Sequence, residues 1–333
     1  MATIKDVAKA SGVSVATVSR VLNGNAEVSP EKQKKVRSAV KELGYVLPHG
    51  VTTAKNVHRN SILVIFPNSV KSFYDDVVRG MKDSAAEAGF ALYFGVCCND
   101  RQTERDYINE VVNGHYSACI LMGTFLRGDE LNELSKKINI ALCCEQIDGA
   151  RILTSVIDVY SAAYEAVEYL IKRGHQRIGV ISTTTRAWSS IQKESAYIRA
   201  MKDNGLEYSE EYMFFGHFNH KSGIFAFGYF EGLDDPPTAI FAVSDSLAIG
   251  AIKAATNKGM TVGRDIIVMG FDDSLMCEMY SPTISTVYQP KYELGKTAVT
   301  KLIANISGEG ERCDETIYLP HRLILRESTG ETQ

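Results

Sequence analysis

Two aspartates stand where apolar runs end. Asp245 closes TAIFAVSD and Asp272 closes DIIVMGFD, and a carboxylate at the end of a buried strand can accept hydrogen bonds from neighbouring hydroxyls of a polyol or a ribose. Asp245 could also cap the helix SLAIGAIKAA that follows it at once. Trp188 and Phe218 fall in segments that follow strands; aromatics there can cover a ligand, although packing is their commoner use. A second chemistry is written in SVATVSRVLN, residues 14 to 23. As a helix, this stretch presents Ala16, Ser19 and Arg20 opposite its apolar side, with Val15 at the leading edge. Small and apolar groups can touch thymine methyls, and Arg can bond guanine O6 and N7 together.

Catalytic patterns are missing. Neither HExxH nor GxSxG occurs, and the GKT of ELGKTAVTK has Pro290 where a phosphate loop needs glycine. His217 and His220 form an isolated HxxH without cysteine or acidic ligands nearby. No nucleophile or base accompanies Asp245 and Asp272. The reading is therefore a binding protein and no enzyme, with no metal and no cofactor.

The elements that position these residues can be read in order. Thr3 and Asp6 form a capping box, and Ile4, Val7, Ala8 and Ser11 share one helical face until Gly12 ends the run. Ser14 caps a second helix with Val18, Val21 and Leu22 inward. Ser29 caps a third, which opens on Pro30, runs through Val36 and Val40 to Leu43, and stops at Gly44. Beyond residue 60 apolar strands alternate with helices: SILVIFP, FALYFGV, SACILMG and NIALCC, then RIGVIS, YMFFGH, TAIFAV and DIIVMGF. Such alternation predicts an α/β body of two doubly wound parallel sheets, with ligand bound between the lobes at the carboxyl ends of the strands. The expected division is 1–46 for a three-helix helix-turn-helix head, 47–60 for a linker and 61–333 for the body. Its lobes are expected over 61–160 with 283–295, and over 161–282 with 296–333, with the chain crossing between them at 145–165 and 283–295.

Charge separates the same regions. The chain of 333 residues is 45% hydrophobic and carries a net charge of -4, which suits two or three globular domains. Residues 1 to 60 hold ten Lys/Arg against four acids, a net of +6, which leaves -10 for the rest. A basic head on an acidic body predicts that the head meets a polyanion. No apolar run reaches membrane-spanning length, and the start MATIKDVAKA lacks the layout of a signal peptide, so a cytoplasmic protein is expected. The seven cysteines include two adjacent pairs and no CxxC, the mark of reduced, mostly buried thiols.

TIKDVAKASGVSVATVSRVLN followed by LGY resembles the DNA-binding head of the lactose/galactose repressor family. The resemblance continues through RGHQRIGVIS, PPTAIFAVSDSLAIGA, DIIVMGFDDS, TISTVYQP and PHRLILRESTG, and so covers nearly the whole chain. It implies a repressor with a periplasmic-binding-protein-like body, binding a pseudo-palindromic double-stranded operator as a homodimer or a larger assembly such as a tetramer. A small-molecule effector, sugar or nucleoside, would control it. Carried over by position, Val15, Ala16 and Arg20 read bases, while Thr3, Ser14, Thr17, Ser19 and Asn23 meet phosphates. Asp245 and Asp272 match the family's effector-contacting acids, and Phe73 and Tyr74 match aromatics that cover the ligand.

Departures from the family pattern are informative. Lys193 stands where the family usually places an effector-binding Arg, and Lys lacks the planar fork that grips two hydroxyls. At the hinge, YVLPHGVTTAKNVHRN puts Leu47 and Pro48 in the family's Pro-Asn places and Ala54 in that of the minor-groove leucine. Gly50, Val51, Thr52 and Thr53 are poor helix formers. NSILVIFP and QPKYELG are most similar to the cytidine-responsive branch. An alternative is the catabolite-control branch, whose corepressor is a phosphorylated carrier protein, but its paired arginines are Ala298 and Val299 here. An alternative of another class is a pure sugar-binding protein, which would carry a signal peptide and no basic head.

Overall fold

The computed structural model describes residues 3–22, 28–43, 60–68, 73–185, 187–308 and 311–331. The chain divides into two compact units, Met1–Arg59 and Asn60–Gln333.

In the first unit, three helices form where the caps and apolar spacing predict: α1 (Ile4–Ser11), α2 (Val15–Leu22) and α3 (Pro30–Glu42). Thr3 caps α1, and Asp6 reaches back to the Thr3 N–H at 2.8 Å, completing the capping box. Gly12 ends α1 with φ of 65°, a left-handed conformation that glycine adopts without strain. Val7, Ala8, Val18, Val21, Val28, Val36 and Ala39 are buried together. Each buried valine contributes roughly 1.5–3 kcal/mol, so these few side chains carry a small unit. The inward face of α3 is set by Val36, Ala39 and Val40, and Leu43 is 39% exposed rather than part of it. Asn23, Gly44, Leu47 and Ala54, with most of the expected hinge, lie outside the described residues, as does the Leu22 side chain.

The second unit contains two lobes. The first is built from β1 (Ser61–Phe66), α4 (Phe73–Glu87), β2 (Ala91–Val96), α5 (Arg101–Val112), β3 (Ala118–Leu121), α6 (Gly128–Ser135), β4 (Asn139–Cys143) and β5 (Leu153–Ile157). The second follows with α7 (Val159–Lys172), β6 (Ile178–Thr183), α8 (Trp188–Asp203), β7 (Met213–Gly216), α9 (His220–Glu231), β8 (Ala239–Ala242), α10 (Asp245–Asn257), β9 (Ile267–Met269), α11 (Met276–Met279) and β10 (Thr286–Tyr288). The chain then returns through α12 (Lys291–Ser307) and β11 (Thr316–Leu319) to the first lobe, and through β12 (Arg322–Ile324) to the second. The sheets run β11-β5-β4-β3-β1-β2 and β7-β6-β8-β9, all parallel, with an antiparallel β10-β12 pair beside them. All six residues of β1 are buried, as are all of β3 and β8, because helices cover both faces of a parallel sheet.

The expected lobe boundaries need correction. Residues 296–333 do not belong wholly to the second lobe: β11 pairs with β5, register Tyr318 to Val156, and α12 packs against α4, β4 and β5. Residues 283–288 go the other way, since β10 pairs with β12 and Ser285 bridges Met269 at the end of β9. The close packing of α12 on α4 explains the exchange. A Cβ on Gly80 would stand 2.0 Å from the Tyr292 carbonyl oxygen, and one on Gly295 2.0 Å from that of Val77, so two glycines let the backbones touch. The crossings fall between β5 and α7, between β10 and α12, and between β11 and β12. The third was not foreseen. Among the described residues, no helix is long and apolar enough to cross a membrane. Cys97, Cys119, Cys143 and Cys277 are buried free thiols.

Candidate functional site

On α2 the burial follows the predicted division. Val18 and Val21 are buried, while Val15, Ala16 and Arg20 are exposed and Thr17 and Ser19 half-buried. Ser14 caps the helix: its Oγ accepts from the Thr17 N–H at 3.1 Å, and the two hydroxyls bond at 2.8 Å. The first turn of α2 therefore offers a shallow face of a methyl, a branched apolar group and two hydroxyls, with Arg20 one turn on. Lys5, Lys9, Lys32, Lys34, Lys35 and Arg37 are also exposed. Of these, Lys35 is paired with Glu31 at 2.8 Å.

In the body, segments leaving the strand ends of both lobes bring several polar groups together. Tyr74 opens α4 after β1, stacked edge-on against Phe73 at 5.2 Å and Phe66 at 5.1 Å. Burial raises its phenol pKa, with smaller contributions from Cys144 and Glu145, which follow β4 in one lobe, and from Asp272, which follows β9 in the other. Lys193 on α8 is buried; its Nζ donates to the Val243 carbonyl at 3.0 Å and sits 3.7 Å from the centre of the Phe271 ring. Trp188 is the first residue of α8 rather than part of the loop before it, and its Nε1 is buried without a hydrogen-bond partner. Phe218, in the loop between β7 and α9, is a half-buried part of the core packing.

The two strand-end aspartates differ. Asp245 does not cap α10, because Ser244 occupies that position. It is 2% exposed, with Oδ1 accepting from Thr286 Oγ1 at 2.6 Å and Oδ2 from the Ser274 N–H at 2.7 Å. Both oxygens thus accept hydrogen bonds that tie α10 to Ser274 after β9 and to Thr286 in β10. Burial raises its pKa. Asp272 lies at φ of 113°, a left-handed conformation unusual for any residue but glycine. Gln289 Nε2 donates to its Oδ1 at 2.8 Å, and Lys291 Nζ donates to the carbonyls of Asp272 at 2.8 Å and Asp273 at 2.5 Å. The crossing segment therefore holds Asp272 in place from both sides.

One residue of this cluster was not anticipated. Glu145 follows β4, and its Oε1 is buried with no hydrogen-bond partner. Burial pushes its carboxyl up to about 7, against the pull of the Gln146 amide, the Lys193 charge and the Ser189 amide. Ser244 Oγ, one residue beyond the carbonyl that holds Lys193, is likewise buried and unpartnered. The signal for Glu145 was available: like Asp245 and Asp272, it is an acid directly after an apolar run, NIALCC. Unsatisfied buried polar atoms cost about 1–3 kcal/mol each, so Glu145 Oε1, Trp188 Nε1 and Ser244 Oγ are the buried polar atoms that call for an explanation among the described residues.

Family models match in two places: "Bacterial regulatory proteins, lacI family" over residues 3–47 and "Periplasmic binding protein-like domain" over residues 167–329. The chain is 34% identical over 332 residues to the NTD biosynthesis operon regulator NtdR of Bacillus subtilis, covering 99% of this chain and 100% of that one. The chain belongs to the lacI family of bacterial regulatory proteins. It is 32% identical to the HTH-type transcriptional repressor CytR of Escherichia coli, over 98% of this chain and 96% of that one. Among solved structures it resembles the transcriptional regulator CelR in complex with cellobiose, with a TM-score of 0.73, 26% identity and 98% and 100% of the two chains covered. The lac repressor dimer bound to operator shares the fold, with a TM-score of 0.73 at 23% identity, over 98% of this chain and 99% of that one. As a lacI-family member the chain is a DNA-binding transcriptional regulator under effector control. Its relatives are regulators and not enzymes.

Proposed function

We propose that the protein is a cytoplasmic repressor that binds a pseudo-palindromic operator as a homodimer and responds to a polyhydroxylated small molecule, a sugar or a nucleoside, held between the two lobes of its body. Val15, Ala16 and Arg20 are the base-reading residues, and Thr3, Ser14, Thr17 and Ser19 position α2 on phosphates. Tyr74, Glu145, Trp188, Lys193 and Asp272 hold the effector, with Phe73 behind Tyr74. The observation that carries the effector site is the set of buried, unpartnered atoms Glu145 Oε1, Trp188 Nε1 and Ser244 Oγ, which offer donors and acceptors as a polyol requires. An effector acts on the head only through its unequal affinity for two lobe arrangements. Weakening its contacts therefore weakens the response without touching DNA affinity.

The catabolite-control alternative finds less support. Catabolite control protein A of Priestia megaterium is 31% identical, but Ala298 and Val299, which occupy the places of that branch's paired arginines, are fully buried in α12. Asp272→Ala tests the effector reading. Operator affinity should be unchanged, while the effector concentration needed for response rises about tenfold or more, from the loss of a charge-assisted bond worth ~1.5–3 kcal/mol. A response unchanged from wild type removes Asp272 from the site, and lost operator binding makes it structural. Asp273→Ala, whose carboxylate is bound to Arg326 at 2.9 Å, controls for general loss of charge.

A further inference from the structure

We propose that Lys291 sets the backbone of Asp272 and makes it depend on the arrangement of the two lobes, so that this acid is presented to the cleft only while the first-lobe helix α12 holds its lysine against the second-lobe turn. That Asp272 meets the effector rests on the proposed function; that Lys291 sets its conformation does not.

Asp272 and Asp273 are consecutive residues with positive φ, 113° and 51°. Aspartate tolerates the second value, whereas the first lies far from the left-handed well at about 57°. A strained turn of this kind persists where its surroundings over-determine it, and here the surroundings come from two bodies. From the second lobe, the Val287 carbonyl accepts the Asp272 N–H at 3.0 Å, Thr286 Oγ1 accepts the Asp273 N–H at 3.3 Å, and Arg326 donates to the Asp273 carboxylate at 2.9 Å. Those bonds hold two amides and a side chain. The two carbonyls are bonded by Lys291 Nζ, at 2.8 and 2.5 Å. In extended chain successive carbonyls point to opposite sides. Both converge here on one ammonium, which requires the bend that the positive φ values describe.

Lys291 belongs to the first lobe. It is the first residue of α12, whose next turn is fixed to β5 where Ser155 Oγ donates to the Leu294 carbonyl at 3.0 Å, and to α4 through Gly80 and Gly295. Lys291 is 8% exposed, and a buried ammonium without acceptors costs more than a strained residue does. The ammonium therefore keeps its carbonyls and the turn takes the strain. A rotation of α12 away from β9 withdraws the ammonium and releases the turn. Asp272 then relaxes toward negative φ, and its carboxylate leaves the position in which Gln289 bonds it. Whatever favours the bonded turn, an effector on Asp272 included, favours the lobe arrangement that permits it, and the converse holds.

The test is a stability cycle that needs no effector. Asp272→Gly and Asp272→Ala both remove the carboxylate and differ in the Cβ that a φ of 113° penalises. Each is made with Lys291 and with Lys291→Met, and urea unfolding of the body is followed in the full chain. With Lys291 present, Asp272→Gly should be the more stable, its unfolding constant lower by about fivefold or more. With Lys291→Met the order should reverse, Asp272→Ala becoming the more stable by about two- to fivefold, as alanine is over glycine in ordinary backbone. Hydrogen exchange supplies a second readout: in Lys291→Met the amides of Asp272 to Ser274 should exchange about tenfold or more faster while those of β9 keep wild-type rates. A glycine advantage that survives Lys291→Met overturns the proposal, and so does the lack of one when Lys291 is present. Lys291→Gln, shorter and uncharged but polar, carries the same cycle should Lys291→Met fail to fold. If the cycle runs as expected while Asp272→Ala keeps a wild-type effector response, Lys291 still sets the turn and it is the effector role of Asp272 that falls.

Discussion

The head and the body hold their working residues in opposite ways. On α2 the groups proposed to meet DNA are exposed or half-buried and local: Ser14 to Arg20 span two turns of one helix, and the Ser14 and Thr17 hydroxyls bond each other. The groups proposed to hold the effector are distant in sequence, from Tyr74 to Asp272, and among them Glu145 Oε1 and Trp188 Nε1 are buried without a hydrogen-bond partner. Solvated DNA can be met by a surface that is already complete, because water releases the same groups at little cost. A small effector that must change an equilibrium is better met by groups that lack partners without it, since the hydrogen bonds then form only in one state.

If the two regions are independent, breaking one core leaves the other intact. Val18 is fully buried among the few side chains of the head core, and Val18→Asp should cost about 4 kcal/mol or more. Operator binding should vanish in a gel-shift assay while the main melting transition, that of the body, stays in place. A single melting transition that moves as a whole would refute the independence. Next in size is Asp245→Ala. It strands the Thr286 hydroxyl and the Ser274 amide, so the body should lose about 3 kcal/mol by urea denaturation. Wild-type stability with lost effector response would instead make Asp245 an effector contact.

These two residues show what could be read from sequence. The head was legible almost to the residue, because a helix advertises its caps and faces within a few positions, as the Thr3–Asp6 box and the Val18 and Val21 pair do. The strands of the body were legible as far as apolar runs lasted. β5, β10, β11 and β12 were not read, because LTSVI, TVY, TIYL and RLI are short, and β11 and β12 pair with strands well before them in the chain. Asp245 and Asp272 stood out in the sequence as strand ends and Trp188 as following a strand, whereas Lys193 stood out only through the resemblance to the family's Arg position. What could not be read is whether an acid is already satisfied. Asp245 is answered by Thr286, forty-one residues on, and nothing local announces that partner or the lack of one at Glu145.

Arg20→Ala probes the exposed face. A bidentate base contact predicts a loss of ~1–3 kcal/mol at one symmetric base-pair position with relaxed specificity there. Equal weakening on all sequences, with a shallower salt dependence, would make Arg20 a phosphate contact. The smallest effect is expected from Glu145→Gln without ligand. Its folded carboxyl titrates near 7 rather than at 4.5, so the folded state holds the proton more tightly than the unfolded chain. Stability from this group is therefore full below about pH 4.5 and lost as pH rises through 7. Wild type and variant should match near pH 4.5, and the variant should be the more stable by about 1–2 kcal/mol at pH 8, after discounting for partial exposure. A difference that does not change with pH would place the Glu145 charge in water.

The route of the chain also sets a clock on its synthesis. Strand β11 completes the edge of the first sheet beside β5, and α12 covers the glycine-lined face of α4, yet both are translated after nearly all of the second lobe. At 5–20 residues per second, the roughly 160 residues between β5 and β11 take on the order of 8–30 s to emerge. Throughout that interval the nascent first lobe displays an open parallel edge of the kind that invites pairing with another chain. On a crowded polysome, neighbouring nascent chains would present the same unfinished edge to one another.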